Sequence, residues 1–286
     1  MTHSTRWIAC RITVSFPLLI AGCNSGLKPA TPAEVRAVLS ETLMASDIDV
    51  KTASALQQLE QSNSAAADAI RAIGIARDVC LNDLHNAGTL AFKGTRAVLQ
   101  GGGKVYTQQD FSQGPVQSTG RTFDLAIQGP GFFKVIIRDE VGDGVGYTRG
   151  GNFFVNDKGT LVRGMGDGYA LFPAITVPTG MTDISVSTDG VISGVNANSS
   201  RKQNLGQIML TQFVNREGLN VLKSSIYTET EASGRPVETK PGSGGSGAIL
   251  QGFLEGSNVD IDREMIRLHF LNQWRSTLLR AIRMHD

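Results

Sequence analysis

Asp124-Leu125-Ala126-Ile127-Gln128-Gly129-Pro130-Gly131-Phe132-Phe133 is the stretch on which the fold turns. Apolar runs at residues 123–127 and 132–137 flank Gly129-Pro130-Gly131, and short runs bounded by Gly and Pro read as β-strands joined by a turn. The same grammar continues outward. β-branched and aromatic runs at 152–155, 160–163, 174–177, 184–187, 207–213 and 226–229 are further candidate strands. Between them stand Asp143-Gly144, Lys158-Gly159, Asp167-Gly168, Asp189-Gly190 and Glu217-Gly218, which supply the positive φ of tight turns. The middle of the chain is therefore expected to be an all-β module, a meander or irregular barrel.

Both flanks change period. Residues 34–84 contain a single glycine beyond the first turn signals, Gly74, and place Leu56, Leu59, Asn63, Ala66, Ile70, Ile73, Arg77, Cys80 and Leu84 at spacings of three and four. That is a helical seam interrupted by Asn63 and Arg77. After the glycine-serine run 241–247, read as a flexible hinge, Ile261, Met265, Leu268, Leu271, Trp274, Leu278 and Ile282 repeat the spacing behind the candidate caps Ser257, Asn258 and Asp260. Neither helix can bury its apolar face alone, so each is expected to need a partner helix, and the other flank offers one. The fold class is α+β: a central β module bracketed by terminal helices.

Composition narrows the function. Of 286 residues, 27 are Lys or Arg and 26 Asp or Glu, a net charge of +1, which argues against a nucleic-acid partner. The four histidines, His3, His85, His269 and His285, have no ligand partners at metal-site spacing. Gly164, Gly166 and Gly168 are followed by Tyr169-Ala170-Leu171-Phe172-Pro173, which opens no helix, so they read as turn glycines and not as a phosphate cradle. Asp124, Asp157 and Glu255 read as turn or cap residues. No cofactor, metal or catalytic residue is expected, and the chain reads as a non-enzyme.

The first residues carry a different signal. Arg6 and Arg11 precede an apolar run, residues 12–21, too short to span a bilayer of ~30 Å. Ile20-Ala21-Gly22-Cys23 then resembles the lipobox of bacterial lipoproteins, in which the cysteine is lipidated. A simple cleaved signal, or a true start at Met44, are the other readings of this segment. After processing at Cys23, Cys80 would be the remaining thiol, expected as a small core residue.

A family resemblance joins these pieces. Asn82-Asp83-Leu84-His85-Asn86, followed by Thr89-Leu90-Ala91-Phe92-Lys93, resembles the NNLAN and TxGFK signature of flagellar rod and hook proteins. The central stretch around Gly129, Gly131, Phe132 and Phe133 resembles their DxAIxGxGFF strand pair, and Tyr147-Thr148-Arg149-Gly150-Gly151-Asn152-Phe153 follows it in the same order. Leu250-Gln251-Gly252-Phe253-Leu254-Glu255-Gly256-Ser257-Asn258-Val259 is similar to the LQGxLExSNV lead into the last helix. The Pro173-Ala174-Ile175-Thr176-Val177-Pro178 segment is most like distal rod members, with proximal rod members the nearest alternative.

The resemblance implies a structural subunit of the basal-body rod. Its terminal helices would pair as a coiled coil, with Leu56, Leu59, Ile70 and Ile73 facing Met265, Leu268 and Leu271. It would assemble with itself as a helical homopolymer and with other rod, hook and ring proteins of the flagellum. The implied divisions are a signal (1–23), a tether (24–33), an N-terminal helical rod domain with an extended segment (34–110), a β-rich domain (111–240) and a hinge with the C-terminal helix (241–286). Two departures stand out. The segment before Asn82 is longer than the family's and resembles a lipoprotein signal, which would allow a lipid anchor at Cys23 and a scaffolding role. Asn272-Gln273-Trp274-Arg275-Ser276 replaces the family's QRAYE, which is expected to weaken the C-terminal seam.

Overall fold

The computed structural model describes residues 65–100, 104–137, 144–164, 168–198, 201–223 and 225–283. The signal, the tether, Cys23, Leu56 and Leu59 lie outside the described residues.

Among the described residues, two α-helices flank eighteen strands, an α+β fold. Helix α1 spans Ala65–His85 and α2 spans Ile261–Arg283. Asp260 caps α2: its Oδ1 accepts the Arg263 N–H at 3.1 Å, so of the three candidate caps this one starts the helix. The helices pack on each other, and Arg77, a polar interruption of the first seam, donates to Asn272 Oδ1 at 2.8 Å. Buried residues on α1 are Ala67, Ile70, Ala72, Val79, Cys80, Asp83 and Leu84, a wider face than the predicted seam. The widening has a cause, since α1 also rests on the hairpin β1 (Thr95–Gln100) and β2 (Lys104–Gln109). On α2 the buried positions are Glu264, Leu268 and Leu271. Trp274, expected in that seam, is exposed.

Between the helices, β3 (Val116–Ser118), β4 (Leu125–Gln128), β5 (Phe132–Ile136), β6 (Val145–Thr148), β7 (Phe153–Val155), β8 (Leu161–Arg163) and β9 (Tyr169–Phe172) come first. They are followed by β10 (Met181–Val186), β11 (Val191–Asn196), β12 (Lys202–Gln207), β13 (Leu210–Gln212), β14 (Asn220–Lys223), β15 (Ile226–Thr228), β16 (Val237–Thr239), β17 (Ala248–Gln251) and β18 (Phe253–Glu255). The largest sheet runs β14-β15-β6-β5-β9-β8-β7, with β13 joining β5 to β16. A second sheet is β10-β11-β12. Two further pairs, β17 with β4 and β18 with β3, carry the end of the module back beside its beginning.

Side-chain alternation splits the central motif between two cores. Phe133 is fully buried with Leu125, Ile127, Leu161, Leu171, Ile192 and Ile249 in a core lined by all the main sheets. It meets Phe153 edge-on at 5.2 Å, an arrangement favoured by the ring quadrupoles. Phe132, one residue earlier, turns to the opposite face and joins Phe111, Tyr147, Leu219 and Tyr227.

Several predicted elements shift. Residues 174–177 form no strand and contribute one bridge, Thr160 with Thr176. The strand is instead Tyr169–Phe172, hidden in the sequence by the preceding glycines and Pro173. The run 207–213 is two strands, β12 ending at Gln207 and β13 beginning at Leu210. The segment 241–247, read as a flexible hinge, is a hydrogen-bonded turn: Gly242 N–H donates to Gly247 O at 2.9 Å and Gly247 N–H to Pro130 O at 2.6 Å.

Candidate functional site at the junction of helices and module

Three sequence motifs far apart in the chain converge on one buried carboxylate. Glu255 ends β18, Lys93 follows α1, and Arg149 follows β6; they are 1%, 0% and 5% exposed. Glu255 Oε1 accepts Lys93 Nζ at 2.6 Å and the Gly114 N–H at 3.0 Å. Its Oε2 accepts Arg149 Nε at 2.8 Å, and Arg149 Nη2 lies 2.7 Å from the same atom. The fork thus engages the carboxylate through two nitrogens, the geometry that makes arginine the stronger partner in such pairs.

Two cations against one anion leave an excess positive charge, which backbone carbonyls offset. Arg149 Nη1 donates to Gly129 O and to Gly131 O, both at 2.7 Å, and Nη2 donates to Ile127 O at 2.9 Å. Lys93 Nζ donates also to Ser112 O at 2.6 Å. Burial pulls the Lys93 ammonium and the Arg149 guanidinium below their ordinary ranges, and the Glu255 charge opposes that pull on both. Gly129 and Gly131, with φ of 108° and 127°, turn these carbonyls inward. The physical role of the strand-pair motif is thereby visible: it builds a socket for Arg149.

Around the triad the remaining motif residues lock the two chain ends together. Asn258 Oδ1 accepts the Gly94 N–H at 2.7 Å, while its Nδ2 donates to Asp110 O at 2.7 Å and Ser112 O at 3.1 Å. Ser257 Oγ accepts the Val259 N–H at 3.2 Å, and the half-buried Val259 lies against Gly94. Phe92 O accepts the Asn258 N–H at 3.3 Å. Asn82 and Asn86 finish α1, with Asn86 Nδ2 donating to Asn82 O at 2.9 Å. Leu84, Phe92 and Leu254 are buried. Of the helix positions, Ile70, Leu268 and Leu271 are buried while Ile73 and Met265 are half-buried.

Ala91 is a local anomaly. It is fully buried with φ of 55°, in the left-handed region, and its N–H donates to Glu255 O at 2.9 Å. The TxGFK pattern has glycine there, which adopts that conformation without a Cβ clash. Ala91→Gly is expected to raise stability by about 0.5–1 kcal/mol, the relieved backbone strain outweighing the added unfolded-state freedom. Urea denaturation of the two proteins measures this, and a lower midpoint for Ala91→Gly would contradict it.

Arg149 was not singled out as a site residue in the sequence. The clue to Arg149 was its place inside the Tyr147 to Phe153 motif; nothing local marks it as the partner of a carboxylate 106 positions later. Among the described residues no cluster of His, Cys, Asp and Glu could hold a metal ion, and no helix is long and apolar enough to cross a membrane.

Comparison with known proteins agrees with this geometry. The family profile described as flagellar hook protein FlgE/F/G D1 domain matches residues 126–194, from the motif strand β4 through β11. The flagellar basal-body rod protein FlgG of Buchnera aphidicola subsp. Acyrthosiphon pisum is 34% identical over 222 residues, covering 68% of this chain and 84% of that protein. FlgG of Bacillus subtilis is 42% identical over 162 residues, covering 55% of this chain and 59% of that protein. The flagellar hook protein FlgE of Salmonella typhimurium is 35% identical over 91 residues, 32% of this chain and 22% of that protein. With its motif residues gathered at one junction and a relative matched across most of its length, the chain belongs to the flagellar basal-body rod protein family.

Proposed function

We infer that the chain is a structural subunit of the flagellar basal-body rod, of the distal segment, which self-assembles as a helical tube and transmits torque. The rod and hook family is structural, not enzymatic. The observation that carries the assembly reading is an apolar stripe on α2. Ile266, Phe270 and Trp274 stand at i, i+4 and i+8 and are 44%, 51% and 61% exposed, alongside the buried Leu268 and Leu271. Such a contiguous stripe marks a protein contact more readily than scattered apolar residues do. A neighbouring copy contacting it through a non-identical surface would propagate a helix instead of closing a ring.

In this reading α1 and α2 form a coiled coil at the inner wall and the β module, an irregular barrel around its shared core, lies outside. Its partners are further copies of itself and other rod, hook and ring proteins in the basal body. Proximal rod identity is the nearest alternative. A lipid-anchored scaffolding role through Cys23 has weaker support, because the relatives matched over the module carry the rod name. The test is the double variant Phe270→Ser with Trp274→Ser. Its monomer stability is expected to stay within about 0.5 kcal/mol of the parent, as for exposed positions generally, while polymers disappear from sedimentation profiles. Polymerisation equal to the parent's would sink the assembly reading.

A further inference from the structure

Where α1, α2 and the start of β1 meet, the structure buries two carboxylates beside one cation. Asp83, in the last turn of α1, is 2% exposed. Its Oδ2 and Oδ1 accept the Thr95 N–H at 2.9 and 3.1 Å. Glu264, in the first turn of α2, is 8% exposed. Its Oε2 is buried with no hydrogen-bond partner, and its Oε1 lies 3.5 Å from Arg267 Nη1. We propose that Asp83, held beside the buried Glu264, is a proton-operated clamp: uptake of a proton by Asp83 tightens the α1–α2–β1 junction, and its loss loosens it.

The groups facing the pair define its charge balance. From α2 come Glu264 and Arg267; from α1 come Cys80 and the polar Asn82; from β1 comes the Thr95 N–H. On the hairpin, Arg96 is paired with Asp110, just past β2, and Lys104 is exposed at the start of β2. Burial and the Glu264 carboxylate push the Cys80 thiol up, so it adds no third anion. With both carboxylates ionised, Arg267 balances one of them, and the surplus negative charge sits out of water. Burial, reinforced by the Glu264 charge, raises the Asp83 carboxyl from 3.8 to about 7, against the opposing Thr95 N–H and Arg267. A carboxyl raised on folding stabilises the fold fully below its unfolded value, and that stability is lost as pH rises through the folded value. The window therefore runs upward from pH 3.8 to about 7.

The flagellar pattern NNLAN has asparagine at position 83, so Asp83→Asn removes the proton site while keeping an acceptor for Thr95. Thermal unfolding of the full chain at about pH 5 and about pH 8 tests the clamp. The parent's midpoint is expected to fall by about 5 °C across this range, beyond the fall seen in Asp83→Asn. At about pH 8 Asp83→Asn is expected to be the more stable protein, and Glu264→Gln to shift the parent's pH midpoint downward. Parallel pH profiles for parent and Asp83→Asn would overturn the proposal. If Asp83→Asn does not fold, a carbon-13 titration of the Asp83 carboxyl in the parent and in Glu264→Gln decides. A value near that of an ordinary aspartate in both proteins would overturn the proposal too.

Discussion

Glu255→Gln is expected to lower the unfolding free energy by about 3–5 kcal/mol, a large share of the ~5–15 kcal/mol that holds an ordinary domain together. The carboxylate is shared by Lys93 and Arg149 in a site nearly closed to water. Removing its charge leaves two buried cations facing each other, and the glutamine amide would turn a donor toward one of them. Lys93→Met is expected to cost less, because the Arg149 and Glu255 pair that remains is neutral and Glu255 still accepts the Gly114 N–H. Urea denaturation of the three proteins gives both the size and the order. Equal losses in the two variants would mean that side-chain packing, and not charge balance, sets the cost.

Gly151→Ala is expected to cost about 3 kcal/mol or more, at or beyond the upper end of ordinary overpacking. A Cβ at this position would lie 1.7 Å from Leu125 O and 3.1 Å from Phe133 Cε2. The first neighbour is backbone of β4 and cannot swing aside. Accommodation requires β4 and the start of β7 to separate, which breaks the Leu125 N–H to Gly151 O bond, now 2.9 Å. Gly74→Ala serves as the contrast: a Cβ there meets nothing within 4 Å, and alanine is expected to add about 0.5–1 kcal/mol to α1. Denaturation midpoints displaced in opposite directions are the expected outcome; a neutral Gly151→Ala would show that the two strands are free to part.

The sequence made some of this legible and hid the rest for physical reasons. Strand β5 and the caps of α2 were readable because their signals are local: an apolar run behind Gly131, and Asp260 three residues before the N–H it accepts. The strand Tyr169–Phe172 was not, because its flanking glycines and Pro173 imitate a turn, and only pairing with β5 and β8 makes it a strand. The hairpin of β1 and β2 was read as an extended segment; its register depends on packing beside α1. Lys93 and Glu255 were identified as motif residues, but Arg149 was not, nor was the meeting of the three. Lys93 and Glu255 look like surface charges on a hydropathy scale, and their burial follows from a partner 162 positions away. Asp83 was read as part of the motif Asn82-Asp83-Leu84-His85-Asn86, and no local signal marked Glu264 as its neighbour.

The pairing of β18 with β3, reinforced by the Gly256 N–H to Pro115 O bond, sets the two exits of the module side by side. In the unfolded chain, closing the loop of 162 positions between Lys93 and Glu255 has an entropic cost on the order of 4–5 kcal/mol. A folded module has already met that cost, and the helices then search for each other as arms of a short hairpin, at effective concentrations on the order of millimolar. Each subunit's helices are in this way biased toward one another before any neighbour arrives. The β module thus works as an entropic matchmaker for the pair, whatever surface it shows to the outside.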